Sequence, residues 1–72
     1  MVKSGYRIKL VSMEDFDAIK PGEIGTVVSC VKHDAGINSW LQIDVNWDSG
    51  RTLMVVSPPD VFEVIYEKEE HE

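Results

Sequence analysis

Val45-Asn46-Trp47-Asp48-Ser49-Gly50-Arg51-Thr52-Leu53 decides how this chain folds. Leading into it, Leu41, Ile43, Val45 and Trp47 alternate with Gln42, Asp44, Asn46 and Asp48. A period of two sends successive side chains to opposite faces of a strand, so the apolar set faces a core and the polar set faces water. The alternation breaks at Asp48-Ser49-Gly50, and a second apolar run follows. Gly50 can take a positive φ because it has no Cβ to clash, so the chain can reverse there. Strand, tight turn and strand together predict a β-hairpin.

Working outward, Gly5 opens a strand over residues 6–11, with Tyr6, Ile8 and Leu10 on one face and Arg7 and Lys9 on the other. Residues 12–23 are irregular; they hold Met13, Phe16 and Ile19 among the acids Glu14, Asp15, Asp17 and Glu23, and end at a Pro21-Gly22 turn signal. Residues 24–31 are rich in β-branched side chains and predict the second strand. Residues 32–39 read as a polar loop containing Gly36 and Asn38, residues 40–47 as the third strand and 51–56 as the fourth. Ser57-Pro58-Pro59-Asp60 cannot continue a central strand, because proline lacks the donor and fixes φ. A single 3₁₀ turn is expected there, leading into a fifth strand over 62–66. No segment has helical periodicity and no repeat is visible. The order predicts an all-β fold, a small five-stranded SH3-like barrel over residues 1–66 with a 3₁₀ turn before the last strand. Closing the sheet would remove most exposed strand edges.

Size narrows the function. At 72 residues, 43% of them apolar, the chain can build one modest core with little left to wall a deep cavity. Enzymatic activity is therefore not expected. The single Cys30 excludes an internal disulfide, and its apolar neighbours point to a thiol packed as a small hydrophobe. No Cys/His spacing suits zinc, so neither metal nor cofactor is expected. No leader or membrane-length apolar run is visible, which together with the lone cysteine predicts a cytoplasmic protein. The net charge is −6, half of it in residues 67–72, an acidic tail expected to be disordered. The body is acidic as well, which disfavours nonspecific nucleic-acid binding, since that needs clustered Lys and Arg.

Three blocks carry a resemblance: Gly5-Tyr6-Arg7-Ile8-Lys9-Leu10-Val11-Ser12-Met13, Pro21-Gly22-Glu23-Ile24-Gly25-Thr26-Val27, and the hairpin block from Val45 to Leu53. Together with the closing Phe62-Glu63-Val64-Ile65, the chain resembles a small bacterial and phage family known as domain of unknown function 4314. The resemblance implies a prokaryotic or phage source, often in mobile elements, and a non-catalytic SH3-like barrel. It brings no functional residues. The hairpin block alone also looks like the distal hairpin of several other SH3-like families.

Candidate sites must then come from the residues themselves. Trp47 is in phase with the core set and is expected to pack beneath the hairpin. Trp40 is out of phase, where loop becomes strand; it is either a half-exposed anchor for a partner or a ring lying flat over the barrel end. The 12–23 loop occupies the position of the long loop that carries acids in peptide-binding SH3 domains, so Glu14, Asp15, Phe16, Asp17 and Trp40 form the candidate binding set. The aromatic lining that polyproline recognition needs is incomplete. His33-Asp34 as an acid–base pair, and Asp44, Asp48 and Asp60 as a cation site, have no supporting motif. The first functional reading is a protein-interaction module with a basic protein partner. The alternatives are an acidic inhibitor that occupies a nucleic-acid-binding site by charge mimicry, and a nucleic-acid-binding barrel using Arg7, Lys9, Lys32 and Arg51. No membrane or small-molecule partner is expected.

Overall fold

A computed structural model describes residues 2–14 and 18–69. Strands β1 (Arg7–Ser12), β2 (Ile24–Ala35), β3 (Asn38–Trp47), β4 (Val55–Ser57) and β5 (Val61–Tyr66) form one antiparallel sheet in the order β4-β3-β2-β1-β5. The chain is all-β, as the alternation predicts. No helix among the described residues is long and apolar enough to cross a membrane.

One face of the bent sheet, the inner face, carries Ile8, Leu10, Val27, Ile43, Val45, Trp47 and Val55, and Val2 and Ile19 close over them from outside the strands. Trp47 sits where the phase of β3 puts it, 3% exposed. It lies opposite Gly25 of β2, and a Cβ there would come within 2.5 Å of Val45 Cγ1 and 2.9 Å of Trp47 Cε3. Gly25 thus leaves the space that the indole fills. A bulge at Val28 resets the alternation of β2, so that Val27 and Cys30 both face inward. Cys30 is half-buried against the core, and this burial pushes its thiol pKa up, away from the reactive thiolate.

Three local expectations are corrected. Residues 32–39 are no loop: β2 and β3 continue pairing through Lys32↔Leu41, His33↔Trp40, Asp34↔Ser39 and Ala35↔Asn38. The chain reverses in two residues, Gly36-Ile37, with Gly36 at φ 68° as a type II′ hairpin turn requires at its first central position. The fourth strand is only Val55–Ser57, not 51–56. Trp47 claims carbonyls downstream of it, its backbone N–H donating to Arg51 O at 2.9 Å and its Nε1 to Leu53 O at 2.7 Å. Residues 51–54 therefore follow the indole rather than a neighbouring strand. The expected 3₁₀ turn is also absent: Pro58 and Pro59 have no N–H to offer, and the turn is closed by Asp60 instead. Its N–H donates to Val56 O and its Oδ2 accepts from Val56 N–H, both at 2.9 Å. That exchange accounts for a carboxylate only 7% exposed.

The barrel itself is approximate, because the sheet does not close. β4 is three residues long and stops at the two prolines, so it cannot reach β5, and both remain edges. Beyond β5, the Lys68 stem lies against Gly5, where a Cβ would sit 2.5 Å from Lys68 Cδ. Residues 70–72 of the expected tail lie outside the described residues.

Candidate interaction surface

The outer face opposes the core and is polar at one end, aromatic at the other. At the polar end, Arg7 on β1 donates from Nη1 to Thr26 Oγ1 and Asp48 Oδ1, both at 2.8 Å, and from Nη2 to Asp48 Oδ2 at 2.6 Å. These hydrogen bonds hold the Asp48 carboxyl below the usual carboxylate range and push the Arg7 pKa up. Asp48 N–H donates to Ile24 O, and Gly50, at φ 97°, donates its N–H to Trp47 O. Every member of the hairpin block with a role here therefore locks β3 to its neighbours. The block is structural.

Beside this network Lys9 Nζ lies 3.0 Å from Glu63 Oε1, and Ser29 Oγ donates to Asp44 Oδ2 at 2.8 Å. Lys32 Nζ is 4.0 Å from Asp34 Oδ2, and Arg51 Nη1 donates to Ala18 O at 3.1 Å, tying the 12–23 loop to the segment after β3. The four bases of the nucleic-acid reading are thus each engaged within the fold.

The aromatic end is the extended β2–β3 hairpin. Cross-strand neighbours His33 and Trp40 stack with ring centroids 5.0 Å apart and planes 14° from parallel. His33 Nε2 donates to Gln42 Oε1 at 3.0 Å, fixing the imidazole over the indole. Gln42 lies between Val31 of β2 and Val56 of β4, and Val31 is half-exposed. The result is a preformed platform of His33, Trp40, Gln42, Val31 and Val56, with Ile37 fully exposed at the hairpin tip. Of the two readings left open for Trp40, a half-exposed anchor or a ring lying flat over the barrel end, the geometry is that of a half-exposed ring, packed against His33 on the outer face.

Of the rest of the candidate binding set, only Glu14 lies among the described residues. Glu14 is exposed in the 12–23 loop, while Asp15, Phe16 and Asp17 lie outside the described residues. The loop is anchored on the inner side, through Ile19 in the core. His33 and Asp34 point to opposite faces of β2, as neighbours on a strand must, and form no acid–base pair. Asp44, Asp48 and Asp60 serve Ser29, Arg7 and Val56 separately. Among the described residues no group of three or more His, Cys, Asp or Glu could hold a metal ion. An open depression of about 390 Å³ is lined by Lys3, Tyr6, Glu67, Lys68 and Glu69. The sequence offers His33 only as a partner of Asp34, and predicts neither its stacking on Trp40 nor a role for Gln42. A signal existed: a two-residue turn at Gly36-Ile37 sets residue 33 opposite residue 40 by counting alone.

The chain belongs to the domain of unknown function 4314 family, whose sequence pattern matches residues 2–65. Among curated proteins and among solved structures, none matches it.

Proposed function

We propose that this chain is a non-catalytic, cytoplasmic interaction module of a prokaryote, phage or mobile element that binds a basic protein. The observation that carries the reading is the engagement of the bases. Arg7, Lys9 and Lys32 are each matched by a carboxylate within the fold, and Arg51 by a carbonyl, in a chain of net charge −6. The field outside the molecule is therefore set by acids, and it attracts a positive partner. The His33–Trp40 platform supplies what charge alone lacks, a rigid aromatic anchor at low entropic cost. An arginine of the partner could stack on it. The charge-mimic reading calls for free acids gathered on one face; Asp44, Asp48 and Glu63 share the outer face but each is engaged by a neighbour, which favours the module reading.

Affinity capture on the immobilised chain, from nuclease-treated lysate of the source organism, tests this. Basic proteins should be retained at about 150 mM salt and released at about 500 mM, where screening shortens from about 8 Å. Trp40→Ala, and Asp15→Lys with Asp17→Lys, should each reduce capture while leaving the far-UV circular dichroism unchanged. Tight binding of purified single- or double-stranded nucleic acid at about 150 mM salt, with no basic protein retained, overturns the reading.

A further inference from the structure

We propose that the free edge of β5 is a self-association seam, on which β5 of a second copy pairs antiparallel about a two-fold axis. The two edges of the sheet differ. β4 has three residues and is stopped by Pro58-Pro59, which blunts it. β5 has six residues, Val61-Phe62-Glu63-Val64-Ile65-Tyr66, without proline or glycine. Among the described residues it pairs only with β1, so one side of its main chain offers N–H and C=O groups to any strand that fits. The bulge at Ile65 bends the strand but does not cover that side. Val61, Val64, Ile65 and Tyr66 are 49, 40, 46 and 56% exposed, apolar positions on both faces of the strand with Glu63 as the one charge among them.

Charge selects the occupant. Glu63 is the only charged residue of β5, and its carboxylate already faces Lys9 at 3.0 Å. The seam is thus neutral and apolar in a molecule of net charge −6, so it offers little to the basic partner proposed above. It suits a strand of its own kind. Antiparallel pairing of a strand with its copy is self-complementary and closes at two chains. It also sends Glu67 and Glu69 of the two copies to opposite ends of a seam roughly 20 Å long, well beyond a screening length of about 8 Å. Six residues a side make a small interface, below about 1,200 Å² in total, so the dimer is weak and forms at high concentration. Since the two bodies repel, added salt strengthens it. Basic-partner binding has the opposite salt dependence, and the two proposals therefore fail separately.

Sedimentation equilibrium of the full chain, from about 10 μM to 1 mM, should show the mean mass rising from 8.1 kDa toward twice that value, more steeply at about 500 mM salt. Ile65→Lys with Tyr66→Lys should restore the monomer, whereas Ile37→Lys, which removes the fully exposed isoleucine at the hairpin tip, should leave the dimer intact. Amide chemical shifts of the unmodified chain should move with concentration at residues 61–66, a readout that does not depend on how the variants fold. A constant 8.1 kDa to 1 mM overturns the proposal, as does a dimer lost in Ile37→Lys or shifts centred on residues 33–42.

Discussion

Replacing Trp47 measures how much of this fold hangs on one side chain. The indole is 3% exposed, fills the space left by Gly25, and donates from Nε1 to Leu53 O at 2.7 Å. Truncating a buried Trp to Ala costs about 3–5 kcal/mol. A 72-residue domain has about 4–11 kcal/mol in all, at about 0.05–0.15 kcal/mol per residue, so Trp47→Ala removes about a quarter of the stability at least and can unfold the chain. Trp47→Phe separates packing from hydrogen bonding. It keeps a ring over Gly25 but leaves the Leu53 carbonyl without its donor, which costs about 1–3 kcal/mol. Urea unfolding followed by far-UV circular dichroism should rank wild type above Phe and Phe above Ala, at an unchanged slope. An Ala midpoint equal to wild type refutes the burial of Trp47. A Phe midpoint equal to wild type refutes any net contribution from the Nε1 bond and with it our reason for the irregular course of residues 51–54.

Two further perturbations act on neighbouring features. Gly25→Ala places a methyl 3.0 Å from Asn46 O, a backbone atom that cannot swing aside, as well as against Val45 and Trp47; thermal or urea unfolding should show a loss of about 1–3 kcal/mol, and none would mean that β2 and β3 can separate at no cost. Asp48 has a pKa lowered by the hydrogen bonds from Arg7, so its contribution is present above the unfolded-state value, near 3.8, and is lost as pH falls through the lower folded value. The melting temperature of wild type should therefore fall more steeply than that of Asp48→Asn on acidification from about pH 5; parallel curves would show that the Arg7–Asp48 pair does not report on folding.

How much of this was legible depends on where the core reaches. Over residues 41–47 one face is buried, so the alternation could be read directly and it put Leu41, Ile43, Val45 and Trp47 inward. Farther out, at residues 32–39, most side chains on both faces are exposed, and a strand pair with no apolar side looks like a loop. Its pairing is held by backbone bonds and by the His33–Trp40 stack, neither of which leaves a periodic trace. Nothing in Thr26-Val27-Val28-Ser29 marks which valine bulges, since both are β-branched and either could face inward. Leu53 and Met54 looked like strand for the same reason, until Trp47 is seen to claim the Leu53 carbonyl. For the candidate site, the phase of Trp40 was readable but its companion was not. Phase gives a side chain's face, while contact needs the register across the hairpin.

The hairpin block and the His33–Trp40 platform are different sets of residues, and this follows from what each set does. Asp48, Gly50 and Trp47 hold the turn after β3 by bonds to Arg7, Ile24, Arg51 and Leu53, so the hairpin block reports a fold and leaves the partner unspecified. The stack of His33 on Trp40 and the exposed apolar positions on β5 contribute little to the core, and changing them leaves that hairpin intact. A chain of 72 residues has few positions free of structural duty. The two proposed surfaces, the distal hairpin and the β5 edge, are separated by β1 in the strand order. A basic partner on the platform and a second copy on the edge need not compete for the same strand, and salt moves them in opposite directions. On the two proposals above, screening weakens the first contact and strengthens the second, so raising the salt should release a bound basic partner and favour the self-paired chain.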